Sequence, residues 1–234
     1  SQIKGVCTQY FSTLLTTDTV HLDLEALTVD SILMNNQELS FEHIGSDLFI
    51  GLPTPMNPGI EFSVAIYYHG DPVTDPSFGG FYFAASYAYN LGVGFAANPH
   101  TFGRAWFPCF DNFVERCTYS FLATTTFPKK AFFNGLPDFS YIGFTDVQGI
   151  TVNQWSIDNE IPSYLVGMAV GEYDVSMSQY FTSENDSIPI WLIAPENNLP
   201  QIESSFINLS ESLTSFEEFY GDYQWSKVGY SFVP

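Results

Sequence analysis

Basic residues are scarce in this chain of 234 residues: 6 Lys and Arg stand against 26 Asp and Glu, a formal net charge of −20. A surface that negative repels phosphate backbones and anionic lipid heads, so no nucleic-acid partner is expected. Long apolar runs are lacking too: no uninterrupted stretch nears the roughly 20 residues that cross a bilayer as a helix, and no membrane span is expected. Cysteine is limited to Cys7, Cys109 and Cys117. Three thiols cannot all pair within one chain, and without a C-x-x-C spacing they argue against a disulfide framework or a structural zinc site. There is no G-x-S-x-G elbow, no glycine-rich phosphate loop and no H-E-x-x-H pair, and His21, His43, His69 and His100 are scattered along the chain. The residues therefore nominate no catalytic set, and no metal or cofactor is expected in this chain.

What is present is a core. Hydrophobic residues make up 45% of the chain and aromatics 18%, too rich for disorder. In "EFSVAIYY" the residues Phe62, Val64, Ile66 and Tyr68 alternate with Glu61, Ser63, Ala65 and Tyr67, the period of a half-buried strand. Similar runs recur from "IKGVCTQYF" through "VHLDLEALTVDSILM", "GGFYFAASYAY", "TYSFLATTTF", "FSYIGFTDV" and "YLVGMAVGEYDVSMSQYF" to "IPIWLIAP". Turn formers punctuate them, among them Asn35-Asn36, Pro58-Gly59 and Asn134-Gly135. Gly92-Val93-Gly94 reads as a further turn. The expected class is all-β, a large twisted sheet or sandwich over residues 1–200.

The period then changes. Phe206, Leu209, Leu213, Phe216 and Tyr220 follow a helical spacing, with Ser204 or Ser205 as N-cap and Gly221 as the stop, before "KVGYSFVP" reads as one more strand. A helix and strand over residues 201–234 suggest the opening of a second domain, with a boundary near Pro200. Ser1-Gln2-Ile3 begins almost directly in strand-like sequence with no signal peptide, as a trimmed chain would. The acid surplus suits solubility in an extracellular or salty setting. Asn185-Asp186-Ser187 and Asn208-Leu209-Ser210 match glycosylation sequons, which matter only in a eukaryotic secretory context.

The densest chemistry lies in "RAWFPCFDNFVERC", Arg104 to Cys117, which holds both arginines of the chain and two of its cysteines. A nucleophilic Cys109 needs a cationic or His partner, and Arg104 is near in sequence only. Cys109 and Cys117 are more simply small buried hydrophobes, with a disulfide between them as the alternative.

Several segments in order resemble the aminopeptidase N family of zinc metallopeptidases, at the non-catalytic N-terminal β domain and its junction with the catalytic domain. "IKGVCTQYF" resembles the early I-x-G-x-V strand, "LDLEALTVDSILMNNQEL" the L-D-L…V…N-G…L segment, and "GIEFSVAIYYHGDP" the strand ending Y-x-G-x-P. Arg104 with Phe107-Pro108-Cys109-Phe110-Asp111 resembles R-x-x-F-P-C-x-D, "FFNG" the usual S-N-G, "IPSYLVGMAVGEYD" the P-x-Y-L-x-A-x-x-V-G-x-Y segment, and "FEEFYGDYQWSKVGYSFVP" the opening of the catalytic domain.

The resemblance implies a saddle-like β domain that forms one wall of the substrate cleft of a parent aminopeptidase. It further implies zinc in that parent, the parent's own catalytic domain and a peptide substrate as partners, and a secreted or periplasmic location. It makes Arg104, Pro108 and Asp111 a structural motif and residues 97–101 the substrate-side loop. The Gln or Glu that helps hold a substrate's amino group in the family falls on Ala97 or Pro99, neither of which can do so; Asn98 or His100 would substitute for it through a shifted loop. The family's D-E-P becomes Asp111-Asn112-Phe113, and its first strand is missing upstream of Ser1, which would leave a sheet edge unpaired. Two other readings stand beside this one: an interaction scaffold from a decayed peptidase, and a carbohydrate-binding β-sandwich.

Overall fold

Strand pairing dominates the computed structural model, which describes residues 2–138, 144–145 and 149–234. Contacts divide the chain into two units: residues up to Tyr82 with Asn90–Arg116 and Ile161–Val166, and a second unit of Phe83–Tyr89, Cys117–Glu160 and Gly167–Pro234.

The first unit is a sandwich. Its strands are β1 (Ile3–Ser12), β2 (Thr17–Asp23), β3 (Thr28–Met34), β4 (Gln37–Glu38), β5 (Phe41–Ile44), β6 (Asp47–Met56) and β7 (Glu61–Gly70). They form two sheets, ordered β1-β7-β3-β4 and β2-β6-β5. The register follows the alternation: Val64, Ile66 and Tyr68 point inward, with Ile66 opposite both Cys7 of β1 and Ile32 of β3. Val20, Leu22, Ile32, Leu48, Ile50, Val64 and Ile66 from both sheets make one buried cluster. Each such side chain, taken fully out of water, contributes about 1.5–3 kcal/mol before chain entropy is counted. Asn35 and Asn36 both have positive φ, 50° and 63°, and close the β3–β4 hairpin as a two-residue turn of the type that matches strand twist. β1 is the edge of its sheet among the described strands.

β8 (Gly79–Ala84) and β9 (Tyr87–Gly94) carry the chain from one unit to the other and back. The run "GGFYFAASYAY" is thus two strands: Ala85, at φ 51°, turns the chain between them, as Ala26 at φ 59° does between β2 and β3. Gly92 and Gly94, expected in a turn, are the end of β9. Their value is close approach: a Cβ on Gly92 would lie 1.9 Å from the Tyr164 carbonyl oxygen.

The second unit holds β10 (Cys117–Thr126), β11 (Lys130–Phe133), β12 (Leu136–Pro137), β13 (Phe144–Thr145), β14 (Ile150–Ile161), β15 (Met168–Gly171), β16 (Tyr173–Phe181), β17 (Ser187–Pro195) and β18 (Val228–Ser231). Of the expected strand "FSYIGFTDV", Phe144–Thr145 pairs with β14 and the rest lies outside the described residues. β18 runs parallel to β17, and α1 (Leu199–Ser205) and α2 (Leu209–Tyr220) pack on this sheet. The single helix expected from Ser204 is thus two helices, and Ser204 and Ser205 lie inside the first. Gly221 ends α2 with φ 89°. The buried stripe of α2 is Leu209, Leu213 and Glu217, an i, i+4 row, while Phe216 and Tyr220 point to solvent. Glu217 is tolerated there because its carboxylate accepts from the Tyr180 hydroxyl at 2.6 Å and the Ser183 and Tyr223 amides at 3.2 and 3.1 Å. The Tyr180 bond, followed by the Tyr223 amide, holds its carboxyl below the usual range. Leu199–Pro234 form part of the second unit.

Among the described residues no helix is long and apolar enough to cross a membrane.

Candidate functional site

The segment that carries Arg104 folds as a brace within the first unit. Gly103–Ala105 forms one 3-10 turn, which presents Arg104 to the chain returning at Asp111. Nη1 of Arg104 donates to Asp111 Oδ2 at 2.8 Å and to the Thr101 carbonyl at 3.1 Å, and Nε donates to Glu25 Oε2 at 3.2 Å. The other Asp111 oxygen accepts from the Gly103 amide at 3.0 Å and the Ser163 hydroxyl at 2.8 Å. Asp111 is tied twice more: its amide donates to Asp23 Oδ2 at 2.9 Å, and its carbonyl accepts from the Thr101 hydroxyl at 2.7 Å. Pro108 takes part through its carbonyl, which accepts from Gln9 Nε2 of β1 at 2.8 Å. Arg104 and Asp111 are both buried, and the pair joins chain segments of the first unit.

None of the three cysteines is in a disulfide. Cys109 is buried, and burial, then the Asp111 and Asp23 carboxylates, push its thiol well up, the opposite of nucleophile activation. Cys117, expected inside, is exposed at the start of β10. Alternation explains it: Tyr119, Phe121 and the other odd positions of β10 up to Thr125 take the half-buried face, and Cys117 lies beyond the end of that stripe.

The loop from Gly94 to Thr101 is organised by Asp75, which no functional motif in the sequence marks. Asp75 is buried, and its carboxylate accepts from four amides: Ser77 and Phe78 at 2.8 and 3.0 Å, and Ala96 and Ala97 at 3.0 and 2.9 Å. Burial alone would raise its pKa, but these amides, Phe78 and Ala96 foremost, outweigh it and hold the carboxyl below the usual range. The backbone closes around it, with Phe95 donating to the Phe78 carbonyl at 3.1 Å and Gly94 to His100 at 3.3 Å. Gly94 has no room for a side chain, since a Cβ would come 2.9 Å from Asp75 Oδ2. Asn98, Pro99 and His100 form the exposed tip, where His100 Nδ1 lies 3.2 Å from the Gly94 carbonyl oxygen. At its base the rings of Phe78 and Phe95 meet at 5.0 Å, and each remains about half exposed, 45% and 59%. The available signal was "DPSF", an Asp whose side chain can cap the amides two and three residues on.

One group of metal-type side chains comes together among the described residues: His21, Asp23 and Asp47, with ligand atoms within 4.8 Å of one another. Strand register does this, because Asp23 sits opposite Asp47 and His21 lies two residues back on the same face. The donors are already engaged: His21 Nε2 pairs with Asp47 at 2.7 Å, and Asp23 takes the Asp111 amide. The grouping lacks the helical H-E-x-x-H arrangement of a catalytic zinc peptidase site.

In the second unit Lys227 is enclosed. Its ammonium donates to the Phe133 carbonyl at 2.9 Å and lies 4.3 Å from the Trp155 ring centroid. Tyr119, Phe121 and Phe133 stack in one row at 5.8 and 4.4 Å, with nearly parallel planes. Phe133 is buried, while Tyr119 and Phe121 are half-buried.

No family model matches the sequence, and no curated protein matches it. Solved structures do match. An M1 zinc metallopeptidase from Deinococcus radiodurans, bound to a Tyr-Ser-Ala substrate, is similar at a TM-score of 0.83 and 20% identity, over 100% of this chain and 53% of its own. A two-domain M1 zinc metallopeptidase bound to L-arginine gives 0.83 at 19% identity, over 100% and 52%. Aminopeptidase A of Legionella pneumophila, in complex with aspartic acid, gives 0.76 at 19% identity, over 93% and 25%. At these identities the likeness is one of fold. The fold is that of the N-terminal β domain of M1 aminopeptidases, and the chain spans about half the length of the first two proteins it matches.

Proposed function

We propose that this chain is the non-catalytic β domain of a zinc-dependent aminopeptidase and forms one wall of its substrate cleft. The observation that carries the proposal is the match of fold over the whole chain to a peptidase about twice as long. The catalytic zinc set is not among these 234 residues. Zinc would be held by the parent's catalytic half, where it lowers the pKa of a bound water and polarises the scissile carbonyl. This chain's own part is to shape and shield, with the Asp75-held loop as the wall and the Arg104–Asp111 brace behind it. Residues 201–234 then open the catalytic domain, and the parent works outside the cytoplasm. The test is the parent's sequence beyond Pro234 together with hydrolysis of aminoacyl amides. H-E-x-x-H within about a hundred residues and chelator-sensitive release of the first residue are expected; absence of both the motif and the activity would sink the enzyme reading.

The second reading is a scaffold derived from such a peptidase. It is favoured by one observation: the exposed loop Phe95–His100 offers no carboxylate to a substrate ammonium. Substituted zinc ligands downstream, with a partner protein bound by this domain alone, are its signature.

A further inference from the structure

We propose that His21, Asp23 and Asp47, on the outward face of the β2–β6 pair, form a binding site for one divalent first-row transition ion, with Zn2+ as the fitting probe. One ligand atom from each lies within 4.8 Å of the others. No short motif announces them, because strand register does the gathering: Asp47 lies across from Asp23, and Phe49 across from His21. Val20 and Leu22 point into the core between these positions, which leaves His21 exposed and Asp23 half-buried. One imidazole nitrogen with two carboxylates is the mixed donor set that such ions take, whereas Ca2+ seeks about six to eight oxygens. The two carboxylates also balance the charge of a divalent ion. Nothing in the site depends on whether the parent cleaves peptides.

Three contacts hold the donors ready. The His21 ring stacks on Phe49, with centroids 4.6 Å and planes 13° apart, which fixes the imidazole over β6. Asp23 is held by one oxygen, Oδ2, which accepts from the Asp111 amide at 2.9 Å, as the hydrogen bond behind a metal-binding carboxylate does. His21 Nε2 already meets Asp47 Oδ1 at 2.7 Å, and both side chains are 49% exposed, so an ion can enter from solvent. Entry exchanges that one hydrogen bond for two bonds to the metal; the ring proton passes from Nε2 to Nδ1, and water takes the open positions. Arg104 does not oppose this, since its charge is met by Asp111 and Glu25. The ion would join β2 to β6 and, through Asp23, to the segment that Asp111 anchors. The unfolded chain lacks this gathering of donors, so binding stabilises the first unit.

The experiment takes the 234-residue chain, cleared of metal by a chelator, and titrates it with Zn2+ in a calorimeter. One equivalent is expected to bind, and Ca2+ in about tenfold excess should not displace it. His21→Gln and Asp47→Asn are each expected to weaken binding at least about tenfold. His69→Gln is the control: His69 pairs with Asp30 at 2.8 Å, but no third donor joins them among the described residues, so its affinity should stay within about twofold. X-ray absorption at the zinc edge reads the unsubstituted chain and needs no variant to fold. It should show an imidazole and only nitrogen and oxygen neighbours, at about 2.0–2.2 Å. No bound Zn2+, an affinity indifferent to His21 and Asp47, or sulfur bonded to the ion, which would place it on a cysteine, would each overturn the inference. An equal loss in His69→Gln would mean diffuse attraction to a chain of net charge −20, and would overturn it too.

Discussion

Replacing Asp111 with Ala would remove three bonds at once and leave the Arg104 guanidinium short of its principal counter-charge. The Asp111 side chain is 0% exposed and that of Arg104 10%, so water cannot take over. Breaking one partner of a buried ion pair costs about 3–5 kcal/mol, because the other charge is stranded. Glu25 remains 3.2 Å from Arg104 Nε with its side chain 38% exposed, which recovers part of that. The Gly103 amide and the Ser163 hydroxyl lose their acceptor as well. The expected loss is therefore about 3–4 kcal/mol. Asp111→Asn keeps one oxygen for Gly103 and Ser163 and gives up the charge, so about 2 kcal/mol is expected. The chain has two units that need not unfold together, so the assay should be local as well as global. Urea unfolding gives the total. Hydrogen exchange followed by mass spectrometry separates peptides covering 101–113 from those covering 209–220. Faster exchange is expected in the first set only. In a double-mutant cycle, Arg104→Met combined with Asp111→Leu should cost at least 1 kcal/mol less than the two single changes added together. A cost for Asp111→Ala below about 1 kcal/mol, or additive single changes, would refute the view that this pair braces the segment.

Lys227 gives a pH dependence. Burial pushes its ammonium down to about 7 from an ordinary 10.5, so in between the unfolded chain holds a proton that the folded chain lacks. Stability relative to Lys227→Met should then rise with pH from about 7 upward, by at most ~1.4 kcal/mol per unit, and be flat below it. Urea midpoints at several pH values between 6 and 9 check this; a constant difference would show that the Trp155 ring and the Phe133 carbonyl keep the amine charged. For the thiols, a water-soluble disulfide reagent should label Cys117 in the native protein and Cys109 only on unfolding, read by mass after limited exposure. Equal rates would contradict the burial of Cys109.

Much of the fold could be read from the chain because the strands of the first unit obey period two on both faces. Val64, Ile66 and Tyr68 sit where alternation puts them, and Asn35-Asn36 closes a hairpin in the geometry such dipeptides favour. The misses have physical causes. Ala26 and Ala85 adopt positive φ without the glycine or asparagine that usually announces it, so two strand breaks were invisible. On α2 the sheet accepts the row of Leu209, Leu213 and Glu217, and a carboxylate with three donors displaces the more apolar Phe216 from the buried face. Hydrophobicity alone cannot rank those two residues, because a buried charge is tolerated only through partners that are distant in sequence, here Tyr180 and Ser183.

The same limit governed the candidate site. Arginine, aspartate and cysteine close together in "RAWFPCFD" are residue types that serve equally for chemistry and for bracing, and what separates the two uses is access. Here Arg104, Asp111 and Cys109 are buried, and their partners are Thr101, Gly103, Asp23, Glu25 and Ser163 from the same unit. Access belongs instead to Phe78, Phe95, Asn98, Pro99 and His100, a set without a formal negative charge in a protein of net charge −20. The single carboxylate at the centre of that loop, Asp75, is spent on backbone amides. The loop Phe95–His100 itself therefore presents an apolar ring, small side chains, an amide and an imidazole, and no carboxylate.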